Sequence, residues 1–317
     1  MSPCLLWRSK LMVGGPIGAI ADDEGSNHTG PGMEIRAIND KIINANSEAP
    51  SGISQPGFDS NVVAGVPLVA QALIWNVFFA SRGRGVDIHT HFPWIDQGRN
   101  VHCIIVTERD RGELIATLVL REAVSDKTER YAMIGMVCVH KLWRCQGLSV
   151  QLMATALSFA IEQHIDSLLL WTRQPSIYRR HGFLPDNRDG FGRVALNPLC
   201  PPSRVTFARR RAEKARGLPP FGRELIRFES AAAEVLVVET AKGVTLAEWR
   251  GSMRAVIDLA EAALPATWSL NAPTEAPIFE ELSKRGHLYT PLSGATRMVR
   301  HLDKPVDLPF ISVLDRI

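Results

Sequence analysis

The sequence predicts a mixed α/β protein: a central mixed sheet flanked by helices, followed by a smaller second domain on a similar plan. Three observations carry this reading. Residues 132–139 and 167–171 are short, bounded apolar runs, as buried strands are. Between them Leu148, Leu152, Met153, Ala156, Leu157, Ala160 and Ile161 form an i, i+3, i+4 stripe. Strand, helix and strand at this spacing make a βαβ unit with parallel strands and a right-handed crossover. Ahead of that unit, 102–107 and 114–120 are β-rich runs joined through Gly112, which reads as a hairpin. Behind it, residues 223–302 repeat the plan in shorter form.

A chain of 317 residues exceeds what one hydrophobic core usually organises, and 45% hydrophobic content is ordinary for a globular protein. The expected division is an unstructured extension over 1–60, a first domain over 61–200, a basic, proline-rich linker over 201–222 and a second domain over 223–317. The net charge of +3 implies no global field for nucleic acid or membranes. No apolar run approaches the ~18 residues of a membrane-spanning helix. Cys4, Cys103, Cys138, Cys145 and Cys200 are scattered without metal-ligand spacing, which predicts no metal site and a reducing, cytoplasmic compartment. Cys138 reads as a small core residue and Cys145 as a tolerated loop residue.

Taken in order, 22–32 and 47–60 are rich in Gly, Ser, Pro, Asn and acidic residues, and no function is assigned to 1–60. The apolar piece 11–20 is interrupted by Gly14, Gly15, Pro16 and Gly18, which makes it a poor secretory leader. Residues 67–80 predict an apolar helix that stops at the Ser81–Gly85 stretch. His89 and His91 follow in a loop, and a lone HxH falls short of a metal site. Residues 125–130 are a polar loop. After Phe183, 184–190 is turn-rich and 192–196 reads as the last strand of the first domain.

The run Arg209-Arg210-Arg211-Ala212-Glu213-Lys214-Ala215-Arg216 reads as a solvated linker helix, with contact to RNA or an acidic protein as the alternative. In the second domain, 235–239 and 243–246 are strand-like and 247–263 is an amphipathic helix. Residues 267–270 form a strand. A helix over 275–285 is capped by Thr274 and stopped by Gly286, and a closing hairpin runs from His287 to Arg300.

The turn over 141–147 carries the chemistry. The first amides of a helix lack intrahelical partners, and the helix dipole places partial positive charge there. Gly147 and the small Ser149 would let a phosphate approach the backbone, and Arg144 adds a full charge. Packing alone can also require such a glycine. GxxxxGK[ST] and GxGxxG are both absent, so the phosphate loop of nucleotide hydrolases and the dinucleotide fingerprint are excluded.

These residues resemble the GNAT superfamily of acyl-CoA-dependent N-acyltransferases. The family pattern is a strand ending in Val, then [Q/R]-x-x-G-x-[G/A] into a helix. Here Val139 precedes Arg144-Cys145-Gln146-Gly147-Leu148-Ser149, with Ser149 where the family prefers Gly or Ala. The later F-Y-x-x-x-G-F pattern is matched by Ile177-Tyr178-Arg179-Arg180-His181-Gly182-Phe183. The resemblance covers about 67–198, and residues 223–302 resemble the degenerate second domain of tandem members.

The resemblance implies acetyl-CoA as co-substrate, held by Val137, Cys138, Val139, Arg144, Cys145, Gln146, Gly147, Leu148 and Ser149, with no metal. It implies Tyr178 as the acid that protonates the leaving thiolate, and an amine on a small molecule or protein as acceptor. It allows a homodimer, and it points to neither a membrane nor a nucleic-acid partner. Many members place a glutamate base where this chain has Met133, so a water chain, His89, His91 or Glu129 is left for that task. The other reading is a non-catalytic acyl-CoA sensor.

Overall fold

The computed structural model describes residues 57–83, 85–200, 203–212 and 217–317. The expected extension therefore lies outside the described residues as far as 56. Its last part does not, because β1 (Phe58–Ala64) is an edge strand paired antiparallel with β2 (Val101–Glu108). Between them come α1 (Leu68–Phe78), as the apolar run predicts, and one short turn of helix, α2 (Ile88–His91), capped by Asp87. The predicted hairpin is β2 with β3 (Leu114–Val124), and β4 (Arg130–Val139) follows.

The crossover unit forms as expected. Helix α3 (Leu148–Glu162) buries Leu148, Leu152, Met153, Ala156 and Ala160, and β5 (Ser167–Thr172) lies parallel to β4. That stripe packs on Ile134, Leu168, Leu170 and Phe183. Truncating a core leucine such as Leu152 to alanine costs about 2–5 kcal/mol. The chain continues through α4 (Pro175–Arg179), β6 (Leu184–Pro185), β7 (Asp189–Ala195) and β8 (Ala208–Arg211). The remaining elements are β9 (Gly222–Glu229), β10 (Ala233–Thr240), β11 (Gly243–Gly251), α5 (Met253–Ala263), β12 (Thr267–Pro273), α6 (Ile278–Lys284), β13 (Leu288–Pro291) and β14 (Thr296–His301).

The strands form two seven-stranded sheets with one plan. The first runs β1-β2-β3-β4-β5-β14-β6, and the second, from its far edge, β8-β9-β10-β11-β12-β7-β13. Each sheet has antiparallel strands up to a single parallel contact, β4 with β5 and β11 with β12, and then returns to antiparallel. The sixth place in each sheet is filled by a strand from the other half of the sequence. Residues 58–317 accordingly cluster as one unit.

Several expectations are corrected by this exchange. Residues 192–196 do not end the first sheet, since β7 pairs with β12 and β13 in the second. The closing hairpin does not form: β13 stays in the second sheet, and β14 inserts between β5 and β6 in the first. Boundaries at 200 and 223 therefore divide the sequence but not the sheets. The basic linker is not helical at Arg209, Arg210 and Arg211. They lie in the edge strand β8, where Arg209 and Arg211 reach Glu224 of β9.

Two helix starts also move. Residues 247–251 continue β11, and α5 begins only after Ser252, whose hydroxyl accepts from the Ala255 amide at 3.3 Å. Helix α6 begins at Ile278 after Pro277, so Thr274 is not its cap.

Candidate active site

Strands β4 and β5 pair only at Tyr131 with Ser167, Ala132 with Leu168 and Met133 with Leu169. Beyond that point they part, and the edge of β4 facing β5 is left open from 134 to 139. On its other side β4 carries a bulge. Thr117 pairs with Cys138 and Val119 with Gly135, so Met136 and Val137 face the single residue Leu118. Met136 takes φ 52°, a left-handed conformation that a methionine adopts only where its surroundings hold it there. Bulges of this kind re-aim backbone groups, and they recur beside functional sites.

The three strand residues singled out from sequence lie on this open stretch. Val137 and Val139 pack toward α3, whereas Cys138 packs on the opposite face with Met136 and α1. Burial pushes the Cys138 thiol up to about 12, which fits a core residue rather than a nucleophile.

The turn that follows is shaped for an anion. After a short 3-10 turn over Lys141–Trp143, Arg144 is extended, and Cys145 and Gly147 take φ values of 70° and 77°. Gly147 is the N-cap of α3, and among the described residues no side chain caps that helix. Alternating left-handed residues turn successive amides to one side, and the helix start adds its partial charge. Arg144 is exposed on the same turn, with its Nε 3.4 Å from the Val139 carbonyl. Gln146 is exposed, Leu148 is buried beneath the turn, and Ser149 is partly covered. Among the described residues a Cβ at Gly147 would meet nothing within 4 Å, so the glycine there serves the left-handed backbone conformation.

Tyr178 lies on α4, packed against the α3-side core with its ring edge-to-face on Phe183 at 6.2 Å. Burial pushes its phenol above the usual range, so the hydroxyl stays protonated at neutral pH. Tyr178, Val137 and Val139 thus pack against the same α3-side core of the first sheet.

The residues weighed as bases lie elsewhere or are already engaged. His91 is buried and satisfied at both nitrogens: Nδ1 donates to the Leu218 carbonyl at 2.7 Å and Nε2 accepts from the Val86 amide at 3.2 Å. His89 is on the surface beside Asp96 at 3.4 Å. Glu129 accepts from Ser125 in the turn before β4, at the end of that strand remote from the bulge. Met133 is buried among Tyr131, Leu169, Val299, Leu308 and Ile311.

Sequence reasoning missed one neighbour of the cleft. Gly135 lies against Ile317, and a Cβ on Gly135 would stand 2.6 Å from the Ile317 carbonyl carbon. A glycine inside an apolar strand run was the available signal, since it marks close backbone approach.

Residues 71–183 match the acetyltransferase (GNAT) family, so the chain carries a GNAT acetyltransferase domain there. Among curated proteins none matches the sequence. Solved structures share the fold at low identity. A conserved protein of unknown function from Enterococcus faecalis V583 superposes with a TM-score of 0.55 at 11% identity, over 77% of this chain and 73% of that one. A GCN5-related N-acetyltransferase from Kribbella flavida gives 0.51 at 15% identity, over 78% and 72%. Eis1 from Mycobacterium abscessus gives 0.51 at 14% identity, over 77% and 74%.

Proposed function

From the premise of a GNAT acetyltransferase domain, we propose that this protein is an N-acetyltransferase. It would move the acetyl group of acetyl-CoA directly to a primary amine of a small molecule or protein. The observation that carries this reading is the coincidence, at one crossover, of an open β4 edge with an uncapped, positively charged helix start. The pyrophosphate would rest on the amides of 145–149 beside Arg144. The pantetheine arm would pair with β4 at 137–139, where the bulge turns backbone groups toward the thioester.

The step balances simply. The amine nitrogen bonds to the thioester carbon, the carbon–sulfur bond breaks, Tyr178 protonates the departing thiolate, and solvent returns a proton to Tyr178. The proton released by the amine passes to solvent through a water chain, since His89 is on the surface beside Asp96, His91 is engaged at both nitrogens and Glu129 is remote. We read the second sheet as a degenerate copy that binds no acyl-CoA, because Ser252 closes its helix start.

A second reading, a non-catalytic acyl-CoA sensor, is favoured by the apolar Met133 at the position where a glutamate base is common. Thermal stability with and without acetyl-CoA tests the shared premise. A ligand bound only by the native state, at ~100 times its Kd, adds about 2.7 kcal/mol. A folded protein with no shift would rule out both readings. Thiol release over a panel of amines then separates enzyme from sensor.

A further inference from the structure

Residues 303–317 form neither helix nor strand, yet they pack on both sheets. Leu308 and Ile311 join Tyr131, Met133, Leu169 and Val299 of the first sheet. Val313 and Leu314 join Leu225, Val238 and Ala247 of the second. Arg316 ties this segment down. Its Nε and Nη2 donate to the Ile311 carbonyl at 3.2 and 3.0 Å, and Nη2 also reaches Asn271 Oδ1 at 3.3 Å and Asp189 Oδ2 at 2.9 Å. The guanidinium lies 4.7 Å from the centre of the Trp171 ring.

The partners of Arg316 come from both sheets. Trp171 lies on β5 just past its parting from β4, Asn271 is on β12, and Asp189 begins the exchanged strand β7. Asp189 also accepts from the Trp171 indole at 2.6 Å. A planar guanidinium that stacks on an indole while donating to three acceptors allows little freedom to the residue that follows it. That residue is Ile317, pressed on Gly135 one position before the bulge.

We propose that Arg316 is a positioning residue. By locking 311–316 to Asp189, Asn271 and Trp171, it seats Ile317 against Gly135 and closes the face of the β4–β5 cleft opposite α3. An amine approaching a thioester held from the α3 side would meet this face, so the second half of the chain sets the acceptor wall of the first. The identity of the cleft as the place of acyl transfer rests on the function proposed above; the clamp itself does not.

Cys138 reports on that face without any substrate. It is 4% exposed in the cluster on which Ile317 packs, whereas Cys103, fully buried in the same cluster, is anchored at 3.0 Å to Thr117. The full-length chain would be treated with N-ethylmaleimide and both cysteines followed by peptide mapping. Arg316→Gln should raise the Cys138 rate at least about tenfold and leave Cys103 protected, because opening admits reagent and restores thiolate character.

Gly135→Ala should do the same from the strand side, and it decides the matter if the arginine variant fails to fold. An unchanged Cys138 rate, or an equal rise at both cysteines, overturns the proposal. Acetyl-CoA thermal shifts on the same samples keep the two ideas apart: no shift in the wild type would remove the acyl-CoA reading while the labelling still judges the clamp.

Discussion

The two halves of this molecule use one sheet plan with two different helix starts. Between β4 and α3 the chain spends residues 140–147 on a turn with two left-handed positions and leaves the helix uncapped. Between β11 and α5 it spends a single serine, whose hydroxyl occupies the helix's own Ala255 amide. Both helices pack on their sheets and both neighbouring strand pairs are parallel only briefly, so architecture alone would assign both the same chemistry. On the function proposed above, the capacity to hold an anion would lie in the turn: an amide already bonded to its own cap cannot be offered to a ligand.

Three experiments would break or sharpen that contrast. The largest effect is expected from Gly147→Glu, which puts a side chain at a left-handed position and a negative charge at the helix start. Acyl-CoA affinity, measured by calorimetry, should fall by about two orders of magnitude or more, roughly 3 kcal/mol. Retained affinity would mean that the turn is a packing device only.

Tyr178→Phe comes next. Turnover should drop about a hundredfold, the lower range for a general acid, while acyl-CoA affinity stays put. Parallel losses in both would reduce Tyr178 to a packing residue. The smallest effect belongs to Ser252→Ala, which should cost about 1 kcal/mol of stability in denaturant titrations and leave acyl-CoA binding untouched. If the uncapped α5 instead began to bind acyl-CoA, the serine would be a lock on a latent site.

The crossover unit was readable from sequence because everything that defines it is local: two apolar runs, a helical stripe and a glycine whose backbone role no other residue fills. The same is true of the Tyr178 segment, where α4 and Gly182 follow within a few residues. Strand exchange was not readable. Residues 189–195 and 296–301 each announce a strand, but both sheets bury the same kind of surface, and nothing in an alternating pattern says which sheet will receive it. The site of Arg209 to Arg211 shows the same limit, since a charged run suits an edge strand as well as a solvated helix. The clamp on Ile317 ties Arg316 to Asp189 and Trp171, both far away in sequence, and only Gly135 hinted at its end.

Strand exchange also has a consequence for how the chain is made. A ribosome releases β1 to β6 long before β14 exists, so the newly formed first sheet waits with the open edge of β5 exposed until residues 296–301 emerge. Hydrophobic strand edges left unpaired invite pairing between chains. β14 is thus the strand that covers that edge, and a chain cut short before Thr296 would meet the cell with it permanently on offer.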